Sequence, residues 1–268
     1  MATSAPQTFW EHLDALRSSI IKMAIVVMVC AIATFCFKTE LFRVLLAPCS
    51  DDFVTYRLLE QLATYVTQGT ASPLAPLDVQ LINTGLAQQF MLHLKAAFAV
   101  GLIIASPYII YLLFHFVSPA LYTHERRLGI RLVVSGYFMF MLGLLLTYFL
   151  IFPLTFRFLG SYQVSDVVAN TVTLSSYLET LLMLGLSMGV VFEIPVICRL
   201  LAGVGLLRAG MMRKYRRHVI VSLLVLAAII TPTADAFTLF LVAIPMWLLF
   251  EVSILVVSSN EVKSQIDA

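Results

Sequence analysis

The sequence predicts an all-α, polytopic integral membrane protein: one membrane domain over residues 1–268 with six transmembrane helices and both termini on the cytoplasmic side. Hydrophobicity is the first observation behind this, since 60% of residues are apolar, 12% are charged and the mean hydropathy is +0.95, far from the composition of soluble domains. Segmentation is the second, because a spanning helix needs roughly 20 mainly apolar residues and the chain holds several such stretches with few charges inside them. The third is an uneven distribution of Lys and Arg between the stretches, which sets orientation.

The first span is expected over 19–37, with Lys22 near one end, where a long side chain reaches the headgroups. The approach to it is amphipathic: Phe9, Leu13, Leu16 and Ile20 recur at spacings of three and four and share a helical face, with Glu11, Asp14 and Arg17 elsewhere. Residues 38–89 turn polar, carry Pro48, Asp51, Asp52, Pro73, Pro76 and Asp78, and form a periplasmic loop in which Tyr56 to Val66 keeps helical spacing. The second span, 90–116, contains Pro107, which removes a backbone donor and is expected to bend it. A charged turn, Ser118 to Arg127, leads to a third span over 128–152, expected to stop at Pro153. A polar loop over 156–173 returns the chain to a fourth span, 174–201, interrupted by Glu193 and Pro195. The fifth, 218–230, is short: at about 1.5 Å per residue it covers about 20 Å of a hydrocarbon core of about 30 Å, so the bilayer thins there or partner proteins cover the mismatch. The sixth, 237–257, follows the tight turn Thr231 to Ala236.

Under this arrangement twelve of the Lys and Arg residues fall on the side of both termini and five opposite: Lys38, Arg43, Arg57, Lys95 and Arg157. Positive residues favour the cytoplasm, which puts both ends there. The first apolar run is not expected to be a cleaved secretory signal, because Lys38, Thr39 and Glu40 follow it instead of small residues, and further spans come after. A net charge of +2 argues against a nucleic-acid partner. Cys30, Cys36, Cys49 and Cys198 have no CxxC spacing and read as packing residues.

Glu193 stands out. A carboxylate in a span costs roughly 2.5 to 3.5 kcal/mol on insertion scales, and two readings stand open: a polar contact for a partner helix, substrate or water, or a protonated or internally paired group that only fixes packing. Pro195 frees backbone polarity beside it, or simply kinks the helix. Glu125 sits in a charged turn with His124, Arg126 and Arg127, where a carboxylate is either solvated or accepts a two-pronged guanidinium contact from an arginine-bearing peptide. Arg208, Arg213, Lys214, Arg216 and Arg217 read as an orientation signal with added attraction to anionic lipid headgroups. Asp235 follows the Thr-Pro-Thr turn and is expected to cap the sixth helix. The five histidines read as interfacial, and no P-loop, HExxH or GxSxG motif is present.

His12-Leu13 with Leu16-Arg17, the run Phe116 to Arg127 (FVSPALYTHERR), Tyr148-Phe149 with Phe152-Pro153, Phe192-Glu193-Ile194-Pro195, Thr231-Pro232 to Asp235, Ala243-Ile244-Pro245-Met246 and Phe250-Glu251 together resemble the TatC family, and they extend over nearly the entire chain. The resemblance implies a curved bundle in a bacterial inner membrane that binds twin-arginine signal peptides of folded precursors, driven by the proton motive force. It implies single-span TatA- and TatB-type partners, contact with membrane lipids, self-association, no cofactor, no metal and no catalysis. It assigns Glu125, with Phe116, His12, Leu16 and Arg17 nearby, to the arginine pair, and Glu193 with Pro195 and Tyr148 to intramembrane contacts. Asp235 and Pro48 fall to the periplasmic side. One departure stands in the first motif, where the family's Glu is replaced by Ala15. Asp14 lies about 100° away around a helix, whereas Glu11, one turn earlier, shares the face of Ala15 and is the expected substitute. The alternative from another class is a small-solute transporter or channel using Glu193; the two halves of the chain show no inverted repeat that would favour it.

Overall fold

A backbone surrounded by hydrocarbon must satisfy its N–H and C=O groups internally, and the helix is the local solution. The computed structural model describes residues 9–66, 80–117, 126–162, 171–233 and 235–266. Among these the chain forms α1 (Phe9–Cys36), α2 (Lys38–Leu46), α3 (Val54–Val66), α4 (Gln88–Val117), α5 (Arg126–Leu146), α6 (Phe152–Ser161), α7 (Leu174–Val191), α8 (Ile194–Gly203), α9 (Ala209–Lys214), α10 (Arg216–Ile230) and α11 (Ala236–Ile266). Five described stretches are long and apolar enough to cross a bilayer: Leu13–Cys36, Gln88–Phe116, Ile130–Ser161, Leu174–Gly203 and Ala236–Ser259. The sixth apolar helix, α10, has 15 residues, about 22 Å at 1.5 Å each. Large apolar side chains such as Ile25, Val29, Ile32 and Leu255 face outward, as they do where lipid is the solvent.

α1 and α4 pack as an antiparallel pair, with Phe35 stacked on His93 at 4.0 Å and Ala31 crossing Gly101. A methyl group on Gly101 would stand 2.6 Å from the Ala31 nitrogen, so glycine is what lets the two backbones meet.

The expectation that the third span stops at Pro153 is corrected, and with it the expected polar loop from residue 156. The helix passes through a π-helical turn, Thr147–Ile151, and continues as α6 to Ser161. Pro153 has no N–H to give the carbonyl four residues back, that of Phe149. The Thr55 hydroxyl donates to that carbonyl instead, and the π turn absorbs the proline ring. Pro107 is accommodated by the same device within α4, where the Ser106 hydroxyl donates to Ile103 O, the carbonyl that the proline leaves without its donor, at 2.7 Å.

Short segments close one end of the bundle, here termed the cap end. The hydroxyls of Tyr148 and Tyr177 donate to Val44 O at 2.7 Å and Leu45 O at 2.9 Å, in the last turn of α2, where helix carbonyls run short of main-chain donors. Tyr56 lies within hydrogen-bond distance of both Pro48 O, 3.1 Å, and Pro153 O, 3.2 Å. Two-residue strands β1 (Leu81–Ile82) and β2 (Val172–Thr173) pair in parallel, Leu81 with Val172 and Ile82 with Thr173, a small departure from the all-α expectation. They launch α4 and α7 side by side in the same direction, tied further by Gln88 to Ser175 at 2.5 Å. The core beneath is built from Phe152, Tyr177, Leu178, Leu184 and Met188, with Val242, Met246 and Val257 of α11. Phe158 of α6 stacks on Phe237 at 4.2 Å, which brings the α10–α11 turn to the cap end and leaves Arg216 at the opposite, basic end.

Candidate functional site

The fourth apolar stretch breaks where the sequence places an acid and a proline. α7 ends as Phe192 N–H donates to Met188 O at 2.9 Å and Glu193 N–H to Val190 O at 3.1 Å, a tightened last turn. α8 restarts with Pro195 in its first turn, where a missing N–H does no harm, and Ile197 N–H donates to Glu193 O at 2.9 Å. Glu193 is therefore the residue between two helices, and its side chain projects towards α4 and α5. A methyl group on Gly136 would lie 3.1 Å from Glu193 Oε2, 3.1 Å from the Phe114 ring and 3.2 Å from Ile110. The carboxyl group thus occupies a notch over Gly136, walled by two apolar side chains. Its Oε1 is buried without a hydrogen-bond partner, an arrangement that costs about 1 to 3 kcal/mol or more. Pro195 is buried directly behind the break.

The same end gathers part of the predicted signal-binding set. Extending the antiparallel α1–α4 pair from the Ala31–Gly101 crossing at equal rise brings Leu16 level with Phe116, less than two turns beyond the level of Glu193. Leu16 and Phe116 are half-buried, and Asp14, Ala15 and Arg17 are exposed. Glu125 lies outside the described residues, as do the side chains of Glu11 and His12.

Tyr148, Pro48 and Asp235 are not brought to this site; they sit at the cap end. Tyr148 is engaged by Val44 O, and Pro48 is buried with its carbonyl facing Tyr56. Burial pushes the Tyr56 hydroxyl well above the usual phenol range, against the nearby Arg157 charge, so it stays a donor. Asp235 caps α11 as expected, Oδ1 accepting Thr238 N–H at 2.7 Å and Oδ2 the Thr233 hydroxyl at 2.7 Å. Partial burial pushes its carboxyl up, but these hydrogen bonds outweigh that and hold it below the usual carboxylate range.

Three features escaped the sequence reading. Gly136 carries no chemistry of its own and is defined by what it faces. Lys95 and Glu179 form a 2.5 Å ion pair between α4 and α7; a charge a few residues inside each predicted span was the available signal. Arg216 and Glu251 pair at 2.5 Å across the base of α10 and α11.

The profile of the Sec-independent protein translocase protein (TatC) matches residues 11–245. The chain belongs to the TatC family. The Sec-independent protein translocase protein TatC of Escherichia coli K12 is 33% identical over 254 residues, covering 95% of this chain and 89% of that protein. The TatC of Blattabacterium from Periplaneta americana is 31% identical over 248 residues, 92% of this chain and 93% of that protein. A crystal structure of the twin-arginine translocase receptor TatC is similar at 31% identity with a TM-score of 0.74, covering 92% of this chain and 98% of that one. Membership of the TatC family makes this chain a multi-pass membrane component of protein transport, and the small-solute transporter finds no support among these relatives.

Proposed function

We propose that this chain is the signal-reading core of a twin-arginine protein translocase in a bacterial inner membrane. It receives folded precursors by the paired arginines of their signal peptides and assembles with TatA- and TatB-type single-span subunits and with further copies of itself, using the proton motive force. It forms a single membrane domain with spans over 19–37, 90–116, 128–152 (whose helix continues to Ser161), 174–201, 218–230 and 237–257, and a periplasmic loop over 38–89. The five long apolar helices with α10 support that count, and the distribution of Lys and Arg supports termini in the cytoplasm. The basic end is then cytoplasmic and the cap end periplasmic. The observation that carries the reading is Glu193: a carboxyl group with a buried, unpartnered oxygen at the same end as Leu16, Arg17 and Phe116, in a chain of the TatC family.

In this reading Glu125 and Glu11 hold the two guanidinium groups, each charge-assisted contact contributing roughly 1.5 to 3 kcal/mol before desolvation. Lysine cannot reproduce the planar two-pronged geometry, which is the source of discrimination. The apolar part of the signal then passes Leu16 and Phe116, and Glu193 meets its backbone or a partner helix in the gap that Pro195 keeps open. His12 and Arg17 flank the arginine site, and Tyr148, Pro48 and Asp235 keep the far end rigid. No bond in the cargo is made or broken, and neither metal nor nucleotide takes part.

Photo-crosslinking from positions 125 and 193 to a signal peptide bearing RR, with a KK peptide as control, tests the assignment: adducts at both positions with RR and loss at 125 with KK are expected. Two such contacts together are worth about 100-fold or more, so Glu125→Lys should abolish export while the protein still inserts. Normal export in that variant would overturn the role of Glu125.

A further inference from the structure

The helix α3 of the cap end carries a surface that the signal-binding reading does not use. Val54, Leu58 and Tyr65 follow at spacings of four and seven, within about 40° of one another around the helix, and each is more than half exposed. Thr55 and Tyr56 turn the neighbouring face to the bundle, and both are buried. Arg57 and Glu60 leave from the remaining flank, Arg57 paired with Asp52 at 2.9 Å. The helix therefore has a protein face, a polar face and an apolar stripe that the bundle does not cover.

The depth of α3 decides what meets that stripe. Along α5 and α6 no charged residue stands between Arg131 and Arg157. A hydrocarbon core of about 30 Å centred in that run ends near Leu154 at 1.5 Å per residue, with Phe149 about 7 Å inside it. The first turn of α3 is fastened across this boundary: the Thr55 hydroxyl donates to Phe149 O, and the Tyr56 hydroxyl lies 3.2 Å from Pro153 O. Arg157, the first charge beyond the apolar run, stands 5.3 Å from the centre of the Tyr56 ring. The stripe also continues the outward-facing apolar surface of the span, since Phe149 and Leu150 are about 40% exposed and Phe149 stacks on Phe53, the residue before Val54, at 5.7 Å. Helices that lie in the boundary of a bilayer sink their apolar side about 5 to 10 Å past the headgroups, the depth at which this one is fastened. We infer that α3 is an interfacial helix, with Val54, Leu58 and Tyr65 set into the acyl chains of the leaflet at the cap end and Arg57 and Glu60 at its headgroups. One cation and one anion cancel along α3, so apolar burial holds it and an anionic lipid is not required. This contact does not depend on how Glu125 and Glu193 read a signal.

Tryptophan quenching in the full chain tests it, with Trp10 and Trp247 changed to Phe so that one introduced indole reports. The protein is reconstituted in dioleoylphosphatidylcholine vesicles, with and without bromine near the head end of the acyl chains. Leu58→Trp should lose about half of its emission or more to the brominated lipid and Glu60→Trp only about a tenth, as the two sides of an interfacial helix require. Tyr65→Trp serves if Leu58→Trp fails to fold. Emission from position 58 that is red-shifted and unquenched would put the stripe in water. Emission that is blue-shifted and unquenched would put it against protein, whether a second copy, a partner or this chain itself. Either result would overturn the inference, as would equal quenching at positions 58 and 60 or quenching that appeared only after phosphatidylglycerol was added.

Discussion

The two ends of the bundle treat the acceptor oxygens of carbonyl and carboxyl groups differently. At the cap end the hydroxyls of Thr55, Tyr148 and Tyr177 each donate to a main-chain carbonyl, and Tyr56 sits between two. The carbonyls they meet belong to a helix terminus or to the turn before a proline, where main-chain donors run short. At the basic end Glu193 has a buried oxygen without a partner, and Arg213, Lys214 and Arg217 point outward. A carbonyl that receives a hydroxyl is fixed in the scaffold, although the Thr155 and Thr238 hydroxyls and His93 Nε2 near the same end are buried without a partner. A buried carboxyl oxygen without a partner is held at a greater cost than a lone hydroxyl, and a group that binds it can relieve that cost.

The largest expected effect comes from erasing that unsaturated group. Glu193→Leu removes the lone carboxyl and lets an apolar side chain rest against Ile110 and Phe114. Stability in detergent should rise by about 1 kcal/mol, or roughly 2 to 4 °C in unfolding temperature. Export should fall about tenfold, the rate equivalent of one lost charge-assisted contact. A variant that unfolds at lower temperature than the wild type would make Glu193 part of the scaffold and erase the contrast between the two ends.

Tyr177→Phe is the reciprocal change. Tyr177 is buried, and its hydroxyl supplies Leu45 O. Removing it strands a buried carbonyl at a cost of about 1 to 3 kcal/mol, seen as a lower unfolding temperature, with export per inserted molecule unchanged. Tyr148→Phe should follow with a smaller loss, because its carbonyl partner Val44 O also receives the Ala47 N–H. If either variant exported poorly while remaining fully stable, the cap end would be a working surface as well.

How much of this was legible beforehand follows from how far apart the deciding residues lie. Hydropathy is a local property, so the apolar stretches, the short fifth segment and the interruption at Glu193 could all be read from the chain. Pro153 was misread as a stop because its lost hydrogen bond is supplied by Thr55, 94 residues earlier than Phe149, which no local window contains. Lys95 and Glu179 are visible singly, but their pairing follows from α4 and α7 running side by side, which parallel β1–β2 pairing sets. Gly136 was illegible in principle, since a glycine offers only space and the sequence does not say who takes it. The cap on α11 was legible because Asp235 and Thr238 are three residues apart.

That cap supplies the smallest test. Asp235 lies in the α10–α11 turn, and two hydrogen bonds to its carboxylate favour the charged form over the neutral one. A group whose folded-state pKa is depressed contributes stability above its unfolded value and loses it as pH falls through the folded one. Asp235→Ala should therefore lower stability at neutral pH by about 0.5 to 2 kcal/mol, towards the low end because the side chain is partly exposed. Below pH 4 the unfolding temperatures of wild type and variant should converge as the carboxylate takes up its proton. A gap that persisted at the lowest pH where the protein still folds would mean that Asp235 acts by packing, and that the order of the α10–α11 turn owes nothing to charge.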